Sequence, residues 1–238
     1  MQAIRHLAIL MFVWLLSACA APTLSPDKAV AIKRVGVVSL LPQEVKYRKI
    51  GITVFNNEYK SLPAGDVFNT TARASVERYL RSTGKYEVKQ IEVDTPAMAA
   101  KLNGRGMVMA YSVEHIDAEV AELAKKHNVD AVIIVGERFD GERGIFGLTM
   151  SLYSGLSEIR RAWAMAGLQT FGLTPDKEIF MAQSPPPSLG VQLSRPDGKP
   201  WSYKLEENLD ATTHQYVIKE LQQAVEGAVS ASMTKSGL

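Results

Sequence analysis

Cysteine is almost absent: Cys19 is the only one among 238 residues. No internal disulfide can form, and no paired cysteines can hold zinc or run a dithiol cycle. An excess of charge of either sign is also missing. Lysine and arginine number 27 against 25 acids, a formal net charge of +2; without residues 1–18, whose only counted charge is Arg5, it is +1. Such a balance offers no electrostatic footprint for nucleic acid. Three histidines lie beyond residue 18, His115, His127 and His214, and none belongs to an H-E-x-x-H pair, so no metal site is expected. No serine sits in G-x-S-x-G. Gly84-Lys85 lacks the upstream glycine of a phosphate loop, and Gly104/Gly106 and Gly144/Gly147 do not complete a dinucleotide fingerprint. The expectation is a protein that is not an enzyme, with no catalytic residue and no cofactor. After residue 16 nothing approaches the about 18 consecutive apolar residues of a membrane-spanning helix.

What is present is a globular composition, 46% hydrophobic and 22% charged, long enough to bury a sizeable core. It is preceded by a different kind of segment. After Arg5, residues 7–16 form an unbroken run of ten apolar residues, too short to span a bilayer of about 30 Å but suited to the apolar region of a signal peptide. The run ends in Leu16-Ser17-Ala18-Cys19, which resembles the lipobox of bacterial lipoproteins. That resemblance implies a diacylglyceryl group in thioether linkage to Cys19, cleavage before it, and N-acylation of the new terminus. One acyl chain anchors marginally, whereas each buried CH₂ contributes about 0.8 kcal/mol, so two or three chains hold a protein almost permanently. Acylation would also remove a thiol otherwise prone to oxidation in an exported protein. Ala20, where an Asp would imply retention at the inner membrane, points by the same resemblance to the outer membrane and its periplasmic face. The expected organisation is a signal peptide over 1–18, a tether over 19–32 carrying two prolines, and a single α/β domain over 33–238.

Within that domain, residues 33–41 (KRVGVVSLL) and 47–55 (YRKIGITVF) read as neighbouring strands, the second with Ile50, Ile52 and Val54 on one face. Residues 66–82 suit an amphipathic helix with Val67, Thr70/Thr71, Ala74, Val76/Tyr79 and Leu80 along its stripe, ended by Thr83-Gly84; residues 86–93 read as a strand. Residues 117–127 predict a helix with Val120, Leu123 and Ala124 inward, capped by Asn128 and feeding the apolar strand 129–135. A strand of that kind belongs at the centre of a sheet covered on both faces. Residues 163–173 read as one strand of a hairpin that turns at Thr174-Pro175-Asp176-Lys177 into 178–183. Ser184-Pro185-Pro186-Pro187-Ser188 marks a surface loop, and 191–194 with 201–205 flank Pro196-Asp197-Gly198 as a further ribbon. Residues 211–233 predict a long helix, with Val217, Leu221, Val225, Val229 and Met233 recurring every four residues. The fold class read from this order is α/β, a layered mixed sheet flanked by helices with a long C-terminal helix.

In open α/β sheets ligands sit beyond the carboxyl ends of strands. That rule singles out Asn56 and Asn57, and the mixed-charge cluster Glu137, Arg138, Asp140 and Arg143, as loop residues suited to a polar ligand or a partner. The GVVSLL strand followed by IGITVFNN, the VDAVIIV strand and the hairpin with its TPDKE turn resemble a group of secreted bacterial lipoproteins. Their α/β domain is similar to that of the penicillin-binding-protein activator and curli-secretion lipoproteins; the resemblance brings no catalytic residues. The leading expectation is a noncatalytic envelope lipoprotein, held on the membrane through Cys19 and docking onto an envelope protein partner. A periplasmic small-molecule binder and a hydrolase acting on envelope material are the alternatives.

Overall fold

The computed structural model describes residues 26–51, 54–102, 115–140, 145–154, 160–183, 190–236 and 238. The expected signal peptide, Cys19 and the first part of the tether therefore lie outside the described residues, as do Arg143 and the triple-proline loop. The architecture is mixed α/β: two five-stranded mixed sheets with flanking helices and a long C-terminal helix.

The first sheet contains β1 (Arg34–Leu40), β4 (Glu87–Gln90), β5 (Ala131–Glu137), β10 (Leu168–Leu173) and β11 (Ile179–Gln183). Their order is β11-β10-β5-β1-β4, with β4, β1 and β5 parallel and β10 antiparallel to both its neighbours, β5 and β11. Every residue of β5 is buried, as expected for a strand in the middle of a sheet covered on both sides. One face packs Val38, Leu40, Val132 and Ile134 against α3 (Thr95–Leu102) and α4 (Asp117–His127). The other packs Val35, Val37, Ile133 and Val135 against α2 (Val67–Ser82) and α5 (Ala211–Ser236). Helix α4 ends where the sequence places its end, because Asn128 takes the left-handed conformation (φ 54°) and closes the last turn on Ala124 and Lys125 carbonyls. The 95–102 helix was not foreseen.

The second sheet contains β2 (Glu44–Ile50), β3 (Glu58–Pro63), β8 (Leu148–Ser154), β9 (Arg160–Ala166) and β12 (Gly190–Leu193), in the order β12-β9-β8-β2-β3. β1 and β2, read as neighbours, are thus in different sheets. Both edges of β1 are taken by β4 and β5 and both its faces are buried, whereas β2 alternates buried and half-buried residues and suits a sheet with one wet face. Its inward residues are Val45, Tyr47 and Lys49, not the Ile50 set. The Leu41-Pro42-Gln43 crossover is held by buried Asn69 of α2, whose Oδ1 accepts from Leu41 N–H (2.9 Å) and whose Nδ2 donates to Leu41 O (3.0 Å).

The strand expected over 163–173 is likewise divided. It switches sheets at Gly167, where a Cβ would lie 2.7 Å from the Arg138 carbonyl. The hairpin itself forms between β10 and β11, with Lys177 at φ 66° in the turn. β12 pairs with β9, not with residues 201–205, which form no strand. Instead Trp201 donates its indole N–H to Leu193 O (3.1 Å). On α5, Val217, Leu221, Val225, Val229 and Met233 are all buried, as the spacing predicts. On α2 the buried set is Phe68, Asn69, Ala72, Arg73, Ser75, Val76 and Leu80, a face rotated from the expected stripe. Residues 26–31, read as tether, hold the short helix α1 (Pro26–Ala31), joined to the body by a Lys28–Glu178 ion pair.

Candidate functional site: the seam between the sheets and the adjoining groove

At the carboxyl end of β5 the described residues join the first sheet to the second. Arg138 N–H donates to Gly167 O (2.8 Å), Gly167 N–H to Gly147 O (2.9 Å), and Gly147 N–H to Arg138 O (3.3 Å). Gly147 is required twice over: its φ is +62°, and a Cβ there would lie 1.6 Å from Glu137 Oε1. Glu137, whose side chain is 8% exposed, accepts from Lys46 Nζ at 3.3 Å. Burial holds its carboxyl above the ordinary range; Lys46 opposes that shift and Glu44 adds to it.

Beside this pair, a groove of about 420 Å³ is lined by Lys46, Tyr47, Arg48, Tyr59, Lys60, Ser61 and Thr149. Strand register explains it. Cross-strand partners share a sheet face, so Ser61, Lys46 and Thr149 form one row and Tyr59, Arg48 and Ser151 the next, on the face opposite Tyr47 and Lys49. Lys60, the cross-strand partner of Tyr47, is on that other face. Arg48 Nε donates to Ser151 Oγ (2.8 Å). Among the described residues the lining carries the cations Lys46, Arg48 and Lys60.

The inward side of the same strands carries polar clamps. Tyr47 hydroxyl lies 2.6 Å from His214 Nδ1, and His214 Nε2 lies 2.9 Å from Pro63 O. A carbonyl only accepts, so Nε2 carries a proton, and in the neutral ring Tyr47 donates to Nδ1. Burial pushes the Tyr47 hydroxyl above its usual range. Lys49, only 2% exposed, pairs with Glu58 and stands 4.1 Å from the Tyr203 ring centroid. The Lys49 hydrogen bond holds Glu58 below the usual carboxyl range, and Leu205 N–H donates to the same group at 2.8 Å. The charge of Lys49 is thereby neutralised inside the fold.

The residues singled out from sequence do not converge. Asn56 is exposed in a 3₁₀ turn (Val54–Asn56) after β2, and Asn57 Oδ1 accepts from Gly51 N–H (2.9 Å), which shapes that turn. These two follow the far end of β2 from Lys46 and Glu137, ten and eleven residues after Lys46 in the chain. Glu137 is buried in the seam and Arg138 contributes its backbone there. Asp140 lies on the two-residue strand β6 (Phe139–Asp140), paired with β7 (Ile145–Phe146). Cys19 and Arg143 lie outside the described residues. Lys46, Arg48, Tyr59, Lys60 and Ser61 were missed. A partial signal is the alternation in EVKYRKI, which sets Glu44, Lys46 and Arg48 on one side of β2; EYKSLP has no such pattern, because Lys60 is on the opposite face from Tyr59 and Ser61.

No family model matches this chain, and no curated protein matches it. Among solved structures, the hypothetical protein CT253 from Chlamydia trachomatis is similar at 14% identity and a TM-score of 0.32, covering 84% of this chain and 99% of that one. Lipoprotein GNA1162 from Neisseria meningitidis is similar at 10% identity and a TM-score of 0.30, covering 83% and 98%. Likeness of this degree carries no argument about the present chain.

Proposed function

We propose that this chain is a noncatalytic lipoprotein of a bacterial envelope, anchored through acylated Cys19 on the periplasmic face of the outer membrane, whose body docks onto a protein partner. The observation that carries the anchor is the Leu16-Ser17-Ala18-Cys19 tetrad placed directly after ten apolar residues, with its cysteine the only one in the chain. None of the described helices is long and apolar enough to cross a membrane, so the proposed attachment is through lipid. The body supports docking by what it exposes: Tyr59 (72% exposed) and Phe55 (92%) stand on and beside an edge strand next to a cation-lined groove.

The test is direct. Intact mass of the membrane-extracted protein should show a chain beginning at Cys19 with added acyl mass, and Cys19→Ser should move the protein from the membrane to the soluble fraction. A Cys19→Ser protein that still sediments with membranes overturns the anchor. The groove favours a second reading, a receptor for a small anionic molecule, since about 420 Å³ falls within the roughly 300–1,000 Å³ of small-ligand sites. Saturation at 100 times Kd stabilises a protein by about 2.7 kcal/mol, so a thermal-shift screen of small anions separates this reading from docking.

A further inference from the structure

The first sheet has a second end, opposite the seam. β1, β4 and β5 run parallel and their starts are level, since Arg34 pairs with Glu87 and Val35 with Ala131. Helices α2 and α4 finish at Ser82 and His127, just before β4 and β5, so their carboxyl ends lie there too. Five exposed lysines meet at this end from three stretches of chain: Lys33 before β1, Lys85 and Lys89 before and on β4, and Lys125 and Lys126 in the last turn of α4. Cations in a last turn complement the helix dipole, which accounts for Lys125 and Lys126 and leaves the other three without that reason. Among the described residues no carboxylate pairs with any of the five; Lys89 donates to His127 O at 3.4 Å. Two nearby acids are already neutralised, Asp130 by Arg34 (2.7 Å) and Glu178 by Lys28. The other acids of this end, Asp27, Glu87 and Asp176, are outnumbered by the five lysines.

The preceding chain decides what this end meets. Helix α1 joins β1 through Ile32 and Lys33 alone, and its Lys28–Glu178 pair holds it at the same end. From Pro26 back to Cys19 is seven residues, a reach of at most about 25 Å. A chain anchored at Cys19 therefore keeps this end within one tether length of the lipid headgroups. The seam and the second sheet stand beyond the far end of β1, about 23 Å of strand further on. A recess of about 290 Å³ opens among the lysines, lined by Arg34, Glu87, Lys89, His127, Asn128 and Val129. Partial burial, and then Lys89 and Lys126, hold His127 below its ordinary range, so the positive field of this end is felt at its centre.

We propose, resting on the Cys19 anchor above, that this lysine-bearing end is a membrane contact: it lies on the anionic phospholipid headgroups of the leaflet that holds the acyl chains, with Lys33, Lys85, Lys89, Lys125 and Lys126 against their phosphates. Each lysine close to an anionic leaflet strengthens attachment about fivefold, and only within a screening length of it. The acyl chains keep the protein on the membrane; the lysines set how the body stands. The first sheet is held with its strands rising from the lipid, and the groove of the second sheet is carried away from the surface.

The experiment uses the chain from residue 19 onward carrying Cys19→Ser, which keeps every described residue and has neither acyl chains nor the apolar leader. It is sedimented with vesicles of phosphatidylcholine alone or of equal parts phosphatidylcholine and phosphatidylglycerol. At about 0.1 M salt binding should be at least tenfold tighter to the anionic vesicles, and it should be lost at about 1 M, where the screening length falls from about 10 Å to about 3 Å. Lys85→Gln, Lys125→Gln and Lys126→Gln together should weaken anionic binding at least tenfold. Lys199→Gln, Lys204→Gln and Lys219→Gln, an equal loss of charge at exposed lysines elsewhere, should leave it within about twofold. On vesicles carrying a headgroup quencher, a fluorophore on Lys85→Cys should be quenched and one on Lys204→Cys should not. Binding no tighter to anionic than to neutral vesicles, equal losses in the two triple variants, or equal quenching at the two positions overturns the proposal. None of these readouts uses an acyl chain, so their failure leaves the Cys19 assignment standing; failure of that assignment shows instead as Cys19→Ser protein that stays on membranes at high salt.

Discussion

Glu137 shows how one side chain ties several backbone choices together. Its carboxyl occupies the space a Cβ of residue 147 would need, so glycine at 147 and glutamate at 137 are a matched pair, and Lys46 supplies the charge that burial would otherwise leave alone. The sign of its pH dependence follows from its raised carboxyl. A carboxyl held above its unfolded value favours folding when protonated; that contribution is complete below the ordinary glutamate range and is lost as pH rises through the folded value. Glu137→Gln, which mimics the protonated form, is therefore expected to be more stable than the parent at pH 8 and to lose that advantage at pH 3.5. Urea midpoints at the two pH values check this, and equal differences at both would contradict it. Glu137 was legible from sequence as a residue of interest, by its place at the end of an apolar strand. That it is buried was not, because its burial depends on Gly147, ten residues further on, just before β8 of the other sheet.

At the scale of elements, the periodic ones were read well and the switches between sheets were not. α4 with its Asn128 cap, the buried β5, the β10–β11 turn and the α5 stripe all rest on local spacing and cap chemistry. Two of the places where the chain leaves one sheet for the other, 41–43 and Gly167, depend on which edges are already paired, and no local pattern states that. The first switch hangs on Asn69, which satisfies both backbone groups of Leu41 at 0% exposure. Asn69→Ala orphans a buried donor and a buried acceptor, at about 1–3 kcal/mol each. A loss of about 2–5 kcal/mol is expected, read as a lower urea midpoint with unchanged slope. A loss under about 1 kcal/mol, the net worth of an ordinary hydrogen bond, would mean water takes over both groups.

The molecule as a whole is joined by α5, which lies against α2 and against strands of both sheets, and by one cluster that runs from Val35, Ile133 and Val135 of the first sheet to Val45, Met150 and Ala164 of the second. The two sheets should therefore unfold together. Leu221 on α5 is 0% exposed within this cluster, and Leu221→Ala is expected to lower stability by about 2–5 kcal/mol while keeping a single transition. Trp163 and Trp201 report on the second sheet and amide exchange of β5 on the first. Midpoints that separate in the variant would show two units where one is expected.

By itself the sequence determined the fold class, the long packed helix, the buried central strand and the tetrad ending at Cys19, because each is written in spacing, caps or a contiguous motif. The tertiary structure alone decided that there are two sheets, where the chain passes between them, and that Lys46, Arg48, Tyr59, Lys60 and Ser61 share one groove. Those facts rest on edge occupancy and strand register between residues far apart in the chain, and a hydrogen-bond ladder between distant strands leaves no mark on the local order of residues that form it.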